Sequence, residues 1–564
     1  MSKKYLVVGG VAGGASTAAR LRRLSEDDEI IMFEKGPHVS FSNCCLPYYL
    51  SGTVKKAEDL VLMTPEKFIN QYNIDARVNN EVISIDREKK LVEVKNLLTN
   101  EVYTENYDKL ILSPGAKPVK PPIPGIENAN VFTVRNVVDI DKLKKEIDKI
   151  KPSRITVIGG GFIGIEVAEN LIEAGHKVSL VEALPQVLNQ FDYDMVQILH
   201  KELIDNGVEL IVDDKVTTFD TNAVVLESGK KISSEIVIMG IGVKPDSNLA
   251  KNAGLKIGDT GAIWVDHNYK TDDTDIYAVG DAIQVYSPLM RDYFSLALAG
   301  PAQKQARAVA NHIHEMPVSY WGYIGSSVVK VFGYNGAATG LNEHTLAKLD
   351  IKYDFVKIVP KDKVGLMPDS EELHFKIIFE IPTGRIIGAQ AIGKGNVDKR
   401  IDVIATMITA KGTIEHLKDL ELCYAPPFGS AKDVVNMAGY VASNVLHETF
   451  KQIQITEMHK LVENNAFILD VREQDEWDEG HIINAKHIPL SELRKRMNEI
   501  PKSELIYIYC RSGQRSYNAV LALQHNGYTD VYNVSGGFIG LCYNEYFLDK
   551  TLNRKPIVTE YDFT

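Results

Sequence analysis

The segment "KYLVVGGVAGGASTAARLRRLSEDDEIIMFEKG" (residues 4–36) joins an apolar strand, a glycine-rich turn, an alanine-rich helix and a second apolar strand ending at Glu34. Glycines let the backbone approach a pyrophosphate closely, and the free N–H groups of the helix N-terminus face it. An acid closing the second strand can hold a ribose hydroxyl, and Glu34 follows Gly14 by 20 residues, the spacing of a dinucleotide fingerprint. Further on, "RITVIGGGFIGIEVAENLIEAGHKVSLVEALP" (154–185) repeats the order, with Gly159, Gly161, Gly164 and then Glu182. One such turn is weak evidence. Two in one chain predict two dinucleotides, most simply FAD and a nicotinamide cofactor. Glu182 would repel a 2′-phosphate, and "ALPQVLNQ" (183–190) offers no Arg or Lys to offset it, so NADH is favoured over NADPH.

The chain of 564 residues is too long for one core and predicts three to four domains. No apolar run reaches the ~18–20 residues of a membrane span. The start, "MSKKYLVVGG", reads directly into a strand with no room for a signal peptide, so a cytoplasmic protein is expected. A net charge of −12 argues against a nucleic-acid binder, which needs a basic face for phosphates. The five cysteines (Cys44, Cys45, Cys423, Cys510 and Cys542) form neither a disulfide framework nor a zinc-ligand spacing. Thiols in polar loops are instead candidates for redox or nucleophilic chemistry, and no metal site is expected.

A third marker, "TDIYAVGDA" (274–282), leads a short apolar strand into Gly280 and Asp281. The order of first turn, "LILSPGAKP" (110–118), second turn, "IMGIGVKP" (238–245) and "YAVGDA" resembles the flavoprotein disulfide reductases with two dinucleotide-binding domains. The resemblance covers roughly residues 1–450. It implies FAD contacts at Gly9, Ala12, Gly13, Glu34, Lys35, Val82, Ser113, Gly115, Gly280 and Asp281, the last on the ribityl chain. It implies nicotinamide-cofactor contacts at Gly161, Phe162, Ile163, Gly164, Glu182 and Gly242. The expected layout is a split FAD domain (1–112 and 246–325), an NAD(P)H domain (113–245) and a dimerisation domain (326–450). In the last, "HFKIIFEIPTGRIIGAQAIG" (374–393) alternates like paired strands and "VDKRIDVIATMITA" (397–410) reads as a helix. A homodimer or higher homo-oligomer is expected.

Two redox cysteines five apart, the glutathione-reductase pattern, are missing. "SFSNCCLPYYLSG" (40–52) is instead similar to the loop of the coenzyme A disulfide reductase branch, which uses one cysteine. By that resemblance Cys44 reacts, and Cys45 stands where the branch usually has Gly. Cys45 is read as a small replacement for Gly, the alternative being a resolving thiol for oxidised Cys44. A sibling NADH peroxidase would carry a His in the first turn, where this chain has Ala12. The resemblance assigns coenzyme A to Arg20, Arg23, Ser40, Asn43, Lys304 and Lys432. Arg20 and Arg23, three apart on one helix, share a face. Two tyrosines of the partner subunit usually assist thiolate departure in this branch. Tyr424 supplies one; the other position reads "VGLMPDSEE" (364–372), with Leu366 and Met367 there.

Past residue 451 the chain restarts. "LDVREQDEWDEGHI" (469–482), "IYIYCRSGQRS" (506–516) and "NVSGGF" (533–538) resemble a rhodanese domain over 451–550, followed by a tail, 551–564, without readable pattern. A strand ends at Cys510, and Arg511, Ser512, Gly513, Gln514 and Arg515 turn into a helix. Consecutive N–H groups would then stabilise a thiolate or an anionic persulfide and lower the thiol pKa, with Arg515 adding charge. The expected fold is α/β: two Rossmann-like domains, an α+β dimerisation domain and an α/β rhodanese domain. The combination resembles the fused reductase–rhodanese enzymes. It implies NAD(P)H-dependent reduction of CoA persulfide or polysulfide, with Cys510 handling sulfane sulfur and Cys44 at the flavin. The alternatives are a CoA disulfide reductase or NADH oxidase with an accessory rhodanese, and a redox-sensing sulfur carrier.

Overall fold

The computed structural model describes residues 2–127, 129–150 and 153–563. Its contacts gather into two units, one running to Pro185 and resuming over Ile211–Tyr323, the other comprising Gln186–Leu210 and everything from Ile324.

In the first unit the opening apolar run forms the strand Lys4–Val8, central in a parallel sheet ordered Ile276–Ala278, Lys109–Leu112, Lys4–Val8, Glu29–Glu34, Asp75–Val78. Tyr5, Leu6, Val7, Ile31, Met32 and Ile111 are buried there, as expected of parallel strands covered on both faces. The helix Ala12–Leu24 lies against this sheet because Gly14 carries no side chain: a Cβ there would meet the Gly9 carbonyl oxygen at 1.8 Å. A second parallel sheet repeats the device. Its strand Arg154–Ile158 lies between Lys177–Val181 and Ile236–Met239, and a Cβ on Gly164 would meet the Gly159 oxygen, again at 1.8 Å. The segments "SPGAKP" and "GIGVKP" join the two halves as the antiparallel pair Ala116–Pro118 and Val243–Pro245.

The second unit holds an antiparallel sheet ordered Ser326–Val331, Tyr334–Gly340, Ile386–Gly393, Leu373–Glu380, Tyr353–Ile358, with the helices Val397–Thr409 and Val434–Leu446 packed on it. It also holds a five-stranded parallel sheet ordered Lys451–Gln454, Val531–Ser535, Ile506–Tyr509, Phe467–Asp470, Lys486–His487. The tail is structured: Val558 bridges Ile482, and Ile557 and Val558 are buried.

The alternation in 374–393 does mark paired strands, but its polar face does not meet water. His374, Lys376 and Gln390 are buried. Lys376 Nζ lies 3.0 Å from Asp192, 2.9 Å from Asp194 and 2.6 Å from Glu343. Lys357 reaches Asp194 at 3.2 Å. Burial opposes charge on Lys376, yet the surrounding carboxylates outweigh it and hold the ammonium above its ordinary range. Asp194 is likewise held well below the carboxylate range by Lys357 and Lys376, against the upward push of burial.

Replacing Lys376 with Met leaves Asp192 without its cation and should destabilise this unit by about 3–5 kcal/mol at pH 7. Asp194's depressed pKa contributes stability above the ordinary carboxylate range and loses it as pH falls through the folded value. Burial already pushes the Glu343 carboxyl above its ordinary range against the pull of Lys376, so without that cation it would rise further and take up a proton at mildly acidic pH. The deficit, read from urea midpoints, should therefore shrink between pH 7 and pH 5; an equal deficit at both would contradict this account.

Candidate functional site

The first glycine turn opens on a cleft of about 520 Å³. Its walls bring together Gly9, Ala12, Gly13, Glu34, Lys35, Asn43, Val82, Ser113, Gly115, Gly280 and Asp281, all singled out in the sequence. The two strand-end acids act alike. Glu34 accepts N–H bonds from Gly10 at 3.0 Å and Gly36 at 2.8 Å. Glu182 accepts them from Gly160 at 2.6 Å and Leu184 at 2.9 Å. Each acid thereby pins the turn that precedes it.

The turns differ at their middle position. The second has Gly161, where an added Cβ would meet nothing within 4 Å, leaving the backbone open to a phosphate. The first has Val11, whose backbone, at φ −108°, lies outside the left-handed region and tolerates a side chain. Around the second turn Ile163, Leu184 and Ile241 are exposed aliphatics that offer a planar ring a surface. Phe162 opens the helix Phe162–Glu173, and Gly242, at φ +107°, opens the crossover strand. In the cleft, Asn43 has a buried Oδ1 that meets no donor among the described residues. The glycine cradles, the strand-end acids and this unmatched acceptor fit a pair of dinucleotides.

Arg135, absent from the sequence reading, also lines the cleft. A Cβ on Gly115 would lie 2.5 Å from its guanidinium, and its charge opposes the upward push of burial on the Asp281 carboxyl. The Gly280 N–H donates to Gln305 Oε1 at 2.7 Å, fixing the turn that presents Asp281.

The cysteine loop hangs on the first turn. Ser40, in the left-handed region at φ +47°, donates its N–H to the Gly10 oxygen at 2.7 Å. Asn43–Cys45 then form one turn of 3₁₀ helix, leading into Tyr48–Ser51, which packs against Phe162–Glu173. Cys44 is exposed and Cys45 half-buried, both free thiols. Partial desolvation of the Cys44 sulfur, reinforced by Glu166, Cys45 and Asp281, pushes its pKa up. Glu166, an acid of the second turn's helix, is itself pushed up to about 7 by burial and by Glu169. Only the packing of two helices makes Glu166 a neighbour of Cys44, so no local pattern announces it.

Of the remaining basic residues, Arg20 donates twice to Asn311 Oδ1, at 3.0 and 2.9 Å. Arg23 lies over the Tyr72 ring. Desolvation, with Arg307 and Arg23 nearby, lowers the Arg20 pKa, so three guanidinium groups share one neighbourhood. Arg307 is an addition to the sequence reading. Lys304 is exposed on the helix Ala299–Ile313. Tyr424 and Lys432 belong to the second unit, Tyr424 half-exposed and Lys432 with Nζ 5.4 Å from the centre of the Tyr440 ring.

The second unit carries the other sulfur. Cys510 ends the strand Ile506–Tyr509 and is buried. The Gly513 N–H reaches its Sγ at 3.1 Å and the Ser516 hydroxyl at 3.5 Å. Gly513, at φ +102°, caps the helix that begins at Gln514, with Ser512 between it and Arg511. Gly537 is required: its Cβ would lie 2.5 Å from the Arg511 oxygen. Arg515 donates two hydrogen bonds to the Glu476 carboxylate, at 2.5 and 2.6 Å, which draw that carboxyl down against burial. Arg511 is held by Glu372 at 2.5 Å and by Asp562 of the tail at 3.3 Å. "LDVRE" is explained by Arg472, fully buried, paired with Asp470 at 2.8 Å and lying over Phe538. Cys542 is buried, its thiol pushed up to about 12 by desolvation, as suits a packing residue.

Comparison with known proteins identifies three matched segments. Residues 3–306 match the pyridine nucleotide-disulphide oxidoreductase family, 326–434 that family's dimerisation domain, and 454–542 the rhodanese-like domain. A coenzyme A disulfide reductase of Staphylococcus epidermidis is 33% identical over 440 residues, 78% of this chain and 99% of that protein. The crystal structure of reduced CoADR-RHD from Bacillus anthracis is 47% identical with a TM-score of 0.94, covering 97% of this chain and 99% of that one. A NAD-dependent persulfide reductase from A. fulgidus is 33% identical with a TM-score of 0.91, covering 95% and 99%. This chain is a member of the pyridine nucleotide-disulphide oxidoreductase family, carrying that family's dimerisation domain and a C-terminal rhodanese-like domain.

Proposed function

We propose that the protein uses NADH to reduce sulfane sulfur carried on coenzyme A or in polysulfide, releasing hydrosulfide and free thiol. The observation that carries this reading is the presence, in one chain, of a loop that exposes Cys44 and hangs on a dinucleotide cleft, and of a buried Cys510 cradled by N–H and O–H donors. The likeness to a NAD-dependent persulfide reductase supports it. FAD, when bound, supplies a two-electron relay from the nicotinamide to sulfur. Glu34 and Asp281 would hold it in the first cleft, and Gly161, Gly164 and Glu182 would hold the nicotinamide dinucleotide.

In this reading the Cys44 thiolate attacks the inner sulfur of CoA–S–SH. The S–S bond breaks, hydrosulfide leaves, and Cys44–S–S–CoA forms. Two electrons and one proton then cleave the mixed disulfide, returning the Cys44 thiolate and releasing CoA thiol. Arg20, Arg23 and Arg307 supply positive charge for the phosphates of the carrier. Hydrosulfide is a better leaving group than an alkyl thiolate, because a leaving sulfur of lower pKa departs faster. That suits a chain with Leu366, 88% exposed, and Met367 where the reductase branch has an acid. The protein is further read as a cytoplasmic homodimer; among the described residues no helix is long and apolar enough to cross a membrane.

A second reading, reduction of CoA disulfide, is favoured by the exposed phenol of Tyr424 and by the coenzyme A disulfide reductase relatives. Anaerobic NADH oxidation with hydrosulfide detection separates the two. The persulfide reading expects Cys44-dependent turnover of CoA persulfide, abolished in Cys44→Ser, and slow turnover of CoA disulfide. Equal or faster turnover of the disulfide would sink it. The neighbourhood of Cys44 gives a further expectation. Anionic Glu166 raises the thiol pKa, so Glu166→Gln should move the pH dependence of Cys44 alkylation to lower pH. An unchanged or upward-shifted profile would contradict that placement of charge.

A further inference from the structure

The Cys510 loop carries two arginines, and both guanidinium groups are already paired. Arg515 gives two N–H bonds to Glu476, at 2.5 and 2.6 Å. Arg511 reaches Glu372 at 2.5 Å and Asp562 at 3.3 Å. Glu372 directly precedes the strand Leu373–Glu380, so this acid comes from the antiparallel sheet and not from the sheet that carries Cys510. Glu476 also accepts the Glu473 N–H at 3.2 Å, which holds its carboxylate in place. Two cations thus meet three carboxylates, and the group keeps one net negative charge at neutral pH. The neighbouring Arg472 and Asp470 cancel each other at 2.8 Å.

Arg515 is near enough to the sulfur for the two to act on each other. Its hydrogen bonds to Glu476, and then the charges of Glu476 and Cys510, hold the guanidinium above its ordinary range against burial. Paired with a carboxylate, however, it presents a dipole, whose field falls off faster with distance than that of a lone charge. The groups that touch the sulfur are uncharged: the Gly513 N–H at 3.1 Å and the Ser516 hydroxyl at 3.5 Å. Such donors suit a single negative charge on sulfur. They leave the second charge of a dianion such as thiosulfate uncompensated beside an acid-rich loop. Of the two lysines lining the adjacent cavity, Lys357 is committed to Asp194 at 3.2 Å, and Lys432 lies over the Tyr440 ring. Among the described residues of that wall, Lys432 is then the one cation left for an incoming anion.

We propose that Glu476 and Glu372 determine which sulfur donors Cys510 accepts: by neutralising the loop arginines they exclude dianionic thiosulfate and admit organic persulfides of one charge or none. This rests on the reading of Cys510 as a sulfane-sulfur site. The Cys510 thiolate attacks the outer sulfur of R–S–SH; that S–S bond breaks, Cys510–S–SH forms, and R–S⁻ leaves with the electron pair. With thiosulfate the same attack expels sulfite, a second dianion, past the same carboxylates. Neither route needs an oxidant or a reductant, so the choice between them is one of charge.

The test uses the full-length, flavin-loaded chain in a Cys44→Ser background, so that sulfur accumulates rather than being reduced. Loading is read as the mass gain of one sulfur atom at Cys510, under anaerobic conditions, against concentration of thiosulfate or of ethyl persulfide. Glu476→Gln removes the charge but keeps an oxygen for the Glu473 N–H. Glu372→Gln, on a different element, decides the matter if the first variant folds poorly. The chain with both acids should load from ethyl persulfide at far lower concentration than from thiosulfate. Either substitution should lower the half-saturating concentration of thiosulfate about tenfold, and that of ethyl persulfide by no more than about threefold. Because the gain is one of charge, about 0.5 M potassium chloride should erase most of it, an effect that a merely structural change would not show. Equal use of the two donors before substitution, an unchanged thiosulfate requirement after it, an equal gain for both donors, or a gain indifferent to salt overturns the proposal while leaving Cys510 its role. If neither donor loads Cys510 in any variant, that role falls and the proposal with it.

Discussion

The helix Ala12–Leu24 can reach its strand only because Gly14 has no Cβ, and much of the reductase half depends on that approach. It fixes the Gly9–Gly14 turn, which places the Gly10 N–H on Glu34 and the Gly10 carbonyl on the N–H of Ser40. From Ser40 the chain runs directly into the 3₁₀ turn that carries Cys44. The glycine turn, the placement of Glu34 and the loop that carries Cys44 are thus consecutive consequences of one close contact. The second turn repeats it through Gly164, Gly159 and Glu182, with an open Gly161 where the first turn has Val11. A side chain larger than hydrogen at Gly14 would therefore disturb the cysteine loop as well as the cofactor cleft.

The two sulfurs sit in opposite surroundings. Cys44 is accessible and lies among acidic groups, so the protein alone does little to favour its thiolate. Cys510 is buried, but the Gly513 N–H and Ser516 hydroxyl point at it and Gly537 lets the backbone close behind it. An open sulfur beside a redox cleft suits bond cleavage, whereas an enclosed one with donors suits holding a charged sulfur chain. That contrast is the physical content of carrying both modules in one chain.

The turns are legible in sequence because backbone geometry dictates each of their positions: glycine where a Cβ would collide, acid where N–H groups converge. The same holds for "NVSGGF", where Gly537 faces the Arg511 carbonyl. Legibility fails where a residue's meaning comes from a distant segment. Arg135 stands in the unremarkable "FTVRN" and reaches the cleft by tertiary packing. Glu166 looks like one more polar residue of an amphipathic helix. Lys376 reads as a solvent-facing position in an alternating strand, yet Asp192, Asp194 and Glu343 enclose it. Asp562, in a tail without pattern, ends up on Arg511 beside the buried cysteine.

The account's central claim is that sulfur enters at Cys510 and electrons arrive at Cys44, as separate steps. The direct measurement is a single turnover of chain pre-loaded with sulfane sulfur at Cys510 and freed of excess donor. NADH and CoA thiol are then added separately or together under anaerobic conditions while hydrosulfide is followed. The account predicts stoichiometric release once CoA thiol is present, with NADH then oxidised as the mixed disulfide on Cys44 is cleaved, and no release in Cys44→Ser, where the sulfur leaves as CoA persulfide. Release by NADH without CoA thiol, or undiminished release in Cys44→Ser, would contradict it.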